Sequence, residues 1–435
     1  MGMSGALLEV AALALSLALL VAGGKLGGVL DAPLVGEITT GLVLGPHGVD
    51  LLPHPDAVVM VGQLGLCLLV MEGGLSVDLE SLSRVGPLAC LIAVSGTLLP
   101  ICLGCGFMTA AGYDATAGVA AGTALSSTSI GMATKMMQSV GELNTPLGSL
   151  ICVAAMVDDV LSLVILAVVG NVRGGGGVST RETAVKIASP VLVSVAVVVA
   201  GAAAAHGVHR ILGGPRRRVR LGEDGTVAAM LAVTTAATVG AGAAGSTFLL
   251  GAFVGGLAFA RVDGAADAWG RHADISSWLT SVFFLSVGAQ VPLSALFSPV
   301  GVALGVGYTV PAVAGKLVTG AFLGPEWGKA AVVGWAMVGR GELGFVMAQE
   351  ARDEGLMGER PYAACVWALL AATLASPVFM RRALDATKRG ARNDAAHRAA
   401  ETGKDGDGLV GGEEGGGGAE AVKGEAVKGD AEVRV

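Results

Sequence analysis

Charge is scarce in this chain. Only 14% of its 435 residues are Asp, Glu, Lys or Arg and 53% are hydrophobic, whereas a typical soluble domain is about one quarter charged. So few charges cannot clothe a water-exposed surface of this size. The cysteines are few and badly placed for redox work: Cys67, Cys90, Cys102, Cys105, Cys152 and Cys365 all lie in apolar segments and none in a loop. That argues against a disulfide framework and a thiolate metal centre. Cys102 and Cys105 have Cys-x-x-Cys spacing, but within Ile-Cys-Leu-Gly-Cys they read as small helix-packing residues. The first apolar stretch, Ala6 to Leu20, has no basic region before it, carries Glu9 and lacks a cleavage site. It is expected to be a retained helix, not a signal peptide. No loop presents a nucleophile with a base or a cluster of metal ligands, so neither an enzyme nor a resident cofactor is expected. The net charge is -7, and nucleic acid is not an expected partner.

Apolar stretches of roughly 18 to 28 residues recur from Ala6 to about Pro377, each long enough to cross a hydrocarbon core about 30 Å thick. About thirteen spans are expected, over approximately 6–29, 33–46, 56–75, 86–111, 114–138, 145–170, 183–212, 224–241, 246–260, 273–291, 295–323, 328–350 and 360–380. The 69 glycines suit close approach of transmembrane helices. On this count one side of the membrane receives Lys25, Arg84, Lys135, Arg210, Arg216, Arg217, Arg218, Arg220, Arg261, Arg271, Lys329, Arg381 and Arg382. The other receives little beyond Arg173, Arg181, Arg352 and Arg360. Cytoplasmic loops retain Lys and Arg, which predicts a cytoplasmic C-terminus and an N-terminus outside or lumenal; which membrane holds the chain is not encoded. The expected organisation is a transmembrane domain over 1–386 and a disordered tail over 387–435, where Gly, Glu, Lys and Asp replace apolar residues. That tail is too short for a folded nucleotide-binding domain.

A weak internal repeat is present. Gly41-Leu42-Val43-Leu44-Gly45 echoes Gly251-Ala252-Phe253-Val254-Gly255-Gly256, and the context of Met71-Glu72-Gly73-Gly74-Leu75 echoes Ser286-Val287-Gly288-Ala289-Gln290. Both offsets are about 210 to 215 residues and map the second span onto the ninth and the third onto the tenth. Seven spans separate the mates, so the repeats, about 33–170 and 246–380, are inverted, an arrangement that places sites near the midplane where broken helices meet. Ser126-Ser127-Thr128-Ser129-Ile130-Gly131 in the fifth span and Gly339-Arg340-Gly341-Glu342-Leu343-Gly344 in the twelfth are the expected breaks.

An ionisable group in hydrocarbon costs at least about 2.5 to 3.5 kcal/mol at a helix centre and so marks a pathway or relay. Met156-Val157-Asp158-Asp159-Val160-Leu161 lies halfway along an apolar span. Adjacent helix positions point about 100° apart, so Asp158 and Asp159 serve different partners. Lys316, deep in the second half, is expected either to pair with one aspartate or to snorkel toward an interface. Arg340 and Glu342 are expected either to satisfy broken-helix backbone or buried charge as a structural lock or to bind an ion, with Glu72 another candidate partner for Arg340. The run from Ser126 to Ser129 either supplies hydroxyl and carbonyl ligands to a hard cation or simply packs helices. His47 and His54 flank an outside loop and either sense pH or face solvent.

In this order and spacing these motifs resemble the second monovalent cation/proton antiporter family, in particular its sodium/proton exchangers with a double aspartate. The resemblance rests on Val35-Gly36-Glu37 through Gly41-Leu42-Val43-Leu44-Gly45-Pro46, Met71-Glu72-Gly73-Gly74-Leu75, Ala124-Leu125-Ser126-Ser127-Thr128-Ser129, Asp158-Asp159-Val160-Leu161, Phe283-Phe284-Leu285-Ser286-Val287-Gly288 and Arg340-Gly341-Glu342-Leu343-Gly344. It implies an all-α membrane fold of thirteen helices with two broken helices crossing, a homodimer in lipid, and a core domain that moves like an elevator. It also implies that Asp159 is the main cation ligand, with Thr128 and Ser127 near it. Asp158 pairs with Lys316 and carries protons, and exchange of Na⁺ or Li⁺ for H⁺ is electrogenic. Gly73 and Gly339 depart from the family's usual residues, and a regulatory domain typical of potassium-efflux members is missing from the expected tail. Exchange of K⁺ for H⁺ is the alternative, and a cation channel a remoter one.

Overall fold

The computed structural model describes residues 3–29, 31–77, 79–139, 141–143, 145–169, 180–212 and 222–406. All regular structure among them is helical. In chain order the elements are α1 (Met3–Gly28), α2 (Pro33–Leu44), α3 (Pro55–Leu75), α4 (Leu79–Ala110), α5 (Ala115–Ala124), α6 (Ile130–Ser139), α7 (Pro146–Val169), α8 (Thr180–Leu212) and α9 (Glu223–Ala243). There follow α10 (Phe248–Leu257), α11 (Ala265–Gly270), α12 (Ala273–Ala289), α13 (Leu293–Leu296), α14 (Pro299–Leu317) with a 3₁₀ extension over Val318–Leu323, α15 (Trp327–Val338), α16 (Glu342–Asp353) and α17 (Glu359–Gly406). Proline begins α2, α3, α7 and α14, where its missing N–H costs nothing. Side-chain oxygens of Asp114, Thr247 and Ser298 cap α5, α10 and α14.

Eight helices are long and apolar enough to span a membrane, and the bent pair α15–α16 makes a ninth. Three shorter apolar helices, α2, α10 and α12, and the broken pair α5–α6 fill the remaining expected positions, so each of the thirteen expected spans meets a helix or a broken pair. The chain divides into a unit over Met1–Ala386 and another over Thr387–Val435. In the second unit helix is described to Gly406; the rest of the expected tail, 407–435, lies outside the described residues, as do Arg173, Arg216, Arg217, Arg218 and Arg220.

The inverted repeat is written in glycine. Gly41 of α2 and Gly288 of α12 bring those helices into backbone contact, and Gly74 of α3 and Gly256 of α10 do the same for theirs. A Cβ at Gly41 would fall 2.0 Å from the Leu285 carbonyl oxygen, and one at Gly256 would fall 1.9 Å from that of Met71. A Cβ at Gly288 would lie 2.0 Å from the Ile38 oxygen, and one at Gly74 would lie 2.0 Å from that of Phe253. Gly41 with Gly256, and Gly74 with Gly288, are repeat mates, and their contacts map onto each other at the same offset of about 215 residues. Lipid tails are as apolar as leucine, so such close packing, not hydrophobic burial, joins helices inside a membrane.

Candidate functional site

The two breaks touch. Helix α5 stops at Ala124, the chain is non-helical over 127–129, and α6 starts at Ile130; α15 stops at Val338 and α16 starts at Glu342. The Ser129 backbone N–H donates to the Gly339 carbonyl at 2.9 Å, and the Thr128 hydroxyl donates to the Met337 carbonyl at 3.3 Å. Stopping a helix orphans its last carbonyls and leaves partial negative charge at that end. Arg340 meets this charge: Nη1 donates to the Leu125 carbonyl and, at 3.3 Å, to that of Ser127, while Nη2 donates to the Ala312 carbonyl of α14. Its side chain is wholly buried. Ser126 closes the α5 end through the Thr123 carbonyl at 2.7 Å, and Ser129 Oγ accepts from the Met132 N–H at 3.3 Å to cap α6.

Against this crossing, α7 presents Asp158. Lys316 Nζ of α14 lies 2.9 and 3.0 Å from its two carboxylate oxygens and 2.7 Å from Thr128 Oγ1. Three acceptors match the three N–H bonds of an ammonium. The Thr97 hydroxyl of α4 lies 2.9 Å from Asp158 Oδ1. Both charged side chains have zero exposure, so each depends on the other: removing one partner of a buried pair costs about 3–5 kcal/mol. Gly96 packs beside the lysine, where a Cβ would lie in ordinary contact, 3.4 Å from Lys316 Cδ.

Asp159 points elsewhere. It is half-buried and, among the described residues, its carboxylate has no hydrogen-bond partner, while Glu342, Asp158 and Lys316 all stand within electrostatic reach. Glu342 opens α16, where a carboxylate complements the positive helix end. The hydroxyls of Ser127 and Ser162 are buried without partners. A cavity of about 390 Å³ lies between α3, α7, α9, α10, α12 and α16, lined by Gln63, Leu166, Ser286, Gln290, Glu350 and Asp353 among others. Gln349 donates to the Gln290 side chain across it, and Arg352 donates to the Gln290 carbonyl at 3.0 Å. Among the described residues no three His, Cys, Asp or Glu side chains group as a metal site.

Residues 11–382 match the transmembrane domain of the sodium/hydrogen exchanger family. The chain belongs to that family. The exchanger is 27% identical to the high-affinity Na⁺/H⁺ antiporter NhaS3 of Synechocystis over 88% of its own length and 92% of the relative's. It is 24% identical to the Na⁺/H⁺-K⁺ antiporter GerN of Bacillus cereus, over 84% and 94% respectively. Its fold is that of the sodium proton antiporter MjNhaP1 of Methanocaldococcus jannaschii, with a TM-score of 0.61 at 16% identity, covering 88% of this chain and 97% of that one.

In this exchanger Asp158, Lys316 and Thr128 come together, Ser127 and Arg340 lie at the same crossing, and Asp159 and Glu342 face one another's charge. Glu72 is not brought to Arg340. It is exposed near the end of α3 and accepts from the Ser276 hydroxyl at 3.4 Å. Arg340 is held by carbonyls instead. His54 is exposed and lies 3.6 Å from Glu9, away from the crossing. Thr97 and Gly96 escaped sequence reasoning because a threonine in an apolar helix ordinarily bonds its own backbone, as Thr97 also does to the Ala93 carbonyl at 2.9 Å. Ser162 was missed too, although its spacing of three and four residues from the aspartates was a signal of a shared face.

Proposed function

We propose that this exchanger moves Na⁺ or Li⁺ in one direction and protons in the other by alternating access, with Asp159 as the cation's carboxylate. The observation that carries this reading is the contrast on α7: Asp158 is held by Lys316 and Thr97, whereas Asp159 has no hydrogen-bond partner among the described residues, two turns from where Leu166 and Ala167 line a cavity. A lone half-buried carboxylate needs either a proton or a cation, and one group that accepts only one of them at a time couples the two fluxes. Thr128 and Ser127 add oxygen ligands from the break, which hard cations favour. Asp158 takes a proton when Lys316 leaves it, and reforms the pair when the proton departs. More than one proton then moves per cation, making exchange electrogenic, with voltage acting at about 2.3 kcal/mol per net charge per 100 mV.

Orientation and assembly belong to the same proposal. Lys25, Lys135, Arg210, Arg261, Arg271, Lys329, Arg381 and Arg382 fall on one side of the alternating helices, which supports a cytoplasmic C-terminus. The family resemblance supports a lipid-embedded homodimer in which α4–α7 and α14–α17 move against the remaining helices. The test is transport in proteoliposomes under an imposed pH gradient, with Na⁺, Li⁺ and K⁺ in turn and with membrane potential clamped or free. Exchange with Na⁺ or Li⁺ that is lost in Asp159→Asn is the expected result. Robust exchange by Asp159→Asn overturns the assignment, and cation flux that cannot be driven uphill by a proton gradient would identify a channel. GerN is an Na⁺/H⁺-K⁺ antiporter by name, so the K⁺ arm decides whether the substrate range extends that far.

A further inference from the structure

Serine and threonine inside apolar helices ordinarily give their hydroxyl to a carbonyl three or four residues back. Ser95, Thr97, Thr134 and Thr309 do so here, at 2.7 to 2.9 Å. Ser162 of α7 does not. It is completely buried, and its Oγ has no partner of any kind among the described residues. Burying an unused hydroxyl is unfavourable, so its position in the helix matters.

Ser162 is four residues beyond Asp158 and three beyond Asp159. At about 100° per residue it lies between the two aspartates in azimuth, one turn toward the C-terminal end of α7. Helical side chains lean toward the N-terminus of their helix, so the Ser162 hydroxyl tilts back over the turn that carries the carboxylates. The next turn carries Leu166 and Ala167, which line the cavity of about 390 Å³. Ser162 therefore stands between that cavity and Asp159, whose carboxylate has no hydrogen-bond partner among the described residues.

We propose that the Ser162 hydroxyl oxygen is a ligand to the cation as it passes from the cavity to Asp159, and that it sets affinity and selectivity among small monovalent cations. The proposal rests on the reading that Asp159 binds the cation. An uncharged hard oxygen suits Na⁺ and Li⁺, which shed part of their water on entering a buried site and need oxygen in its place. Such a ligand changes the binding of the ion more than it changes the proton chemistry of the carboxylates.

The experiment measures exchange against cation concentration in proteoliposomes for the parent, Ser162→Ala, Ser162→Thr, Ser162→Cys and Asp159→Asn, with melting temperature taken on each. Ser162→Ala removes an unsatisfied hydroxyl, so its melting temperature is expected to equal or exceed the parent's. Its half-saturating Na⁺ is expected to rise about fivefold, the loss of one neutral polar contact, with the smaller change in maximal rate. Ser162→Thr keeps the oxygen and is expected to bind like the parent. Ser162→Cys keeps the volume but offers soft sulfur, and is expected to weaken Na⁺ and Li⁺ as alanine does and to shift the Li⁺ to Na⁺ ratio. Unchanged half-saturation in Ser162→Ala or Ser162→Cys overturns the proposal, as does a loss of rate that merely follows a loss of thermal stability. If Asp159→Asn is inactive while the serine variants bind normally, only this inference fails. If Asp159→Asn exchanges robustly, the reading beneath it fails as well.

Discussion

The two inverted repeats share a backbone plan and divide the charges between them. The first, containing α4 to α7, supplies the acids Asp158 and Asp159. The second, containing α14 to α17, supplies the bases Lys316 and Arg340, with Glu342 at the start of α16. At the offset that relates the glycine mates, Asp158 corresponds to Ala372 and Asp159 to Thr373, while Lys316 corresponds to Cys102 and Arg340 to Ser126. The buried aspartate of one half is neutralised by the lysine of the other. Symmetry provides two breaks that meet, and asymmetry in side chains makes the meeting point chemically useful: the halves are held together by the ion pair and by Arg340 reaching from one break to the carbonyls of the other.

The largest test of this division removes a base. Lys316→Met should leave Asp158 buried with Thr97 alone and cost about 3–5 kcal/mol, seen as a large fall in melting temperature in detergent. Adding Asp158→Asn should recover most of it. A Lys316→Met protein that melts like the parent would mean that the pair does not join the repeats. Arg340→Gln comes next: orphaned carbonyls at the α5 end should cost about 1–3 kcal/mol, and a further Glu72→Gln should not alter that loss, since the two residues do not pair. The backbone side of the comparison is tested by Gly41→Ala and Gly256→Ala, which should each cost about 1–3 kcal/mol through overpacking. Unequal melting temperatures for these mates would break the equivalence of the two seams. Smallest of all, Arg381→Ala removes a half-exposed ion pair with Asp31 at 2.9 Å and should change stability by about 0–1 kcal/mol, less at high salt.

The fold was legible because hydrocarbon imposes one solution, and every long apolar stretch returns as helix. The breaks were legible for the opposite reason, as polar and glycine-rich runs placed where apolar helix would otherwise continue. Of the site, the need for Lys316 to find a carboxylate follows from burial alone, but the choice of Asp158 over Asp159 depends on the rotation of α7 against α14, which residue types do not encode. That Arg340 would serve broken-helix backbone was legible from its place in the second break, but which carbonyls it reaches was not, because freed carbonyls carry no side-chain signature. Glu72, the other expected partner, is exposed near the end of α3 instead. Thr97 and Ser162 are ordinary residues made informative only by their hydroxyls: one shares its proton between the Ala93 carbonyl and Asp158, and the other has no partner among the described residues.

The bond between the Ser129 N–H and the Gly339 carbonyl has a consequence for sequence drift. Main-chain atoms tie one break to the other there, so that link is indifferent to which side chains occupy 129 and 339, apart from proline at 129, which has no N–H to give. A joint of this kind lets amino acids turn over around it while the geometry stays put. That is one physical reason a common architecture can outlast most of its spelling, as it has between this chain and an archaeal antiporter with which it shares 16% of its residues.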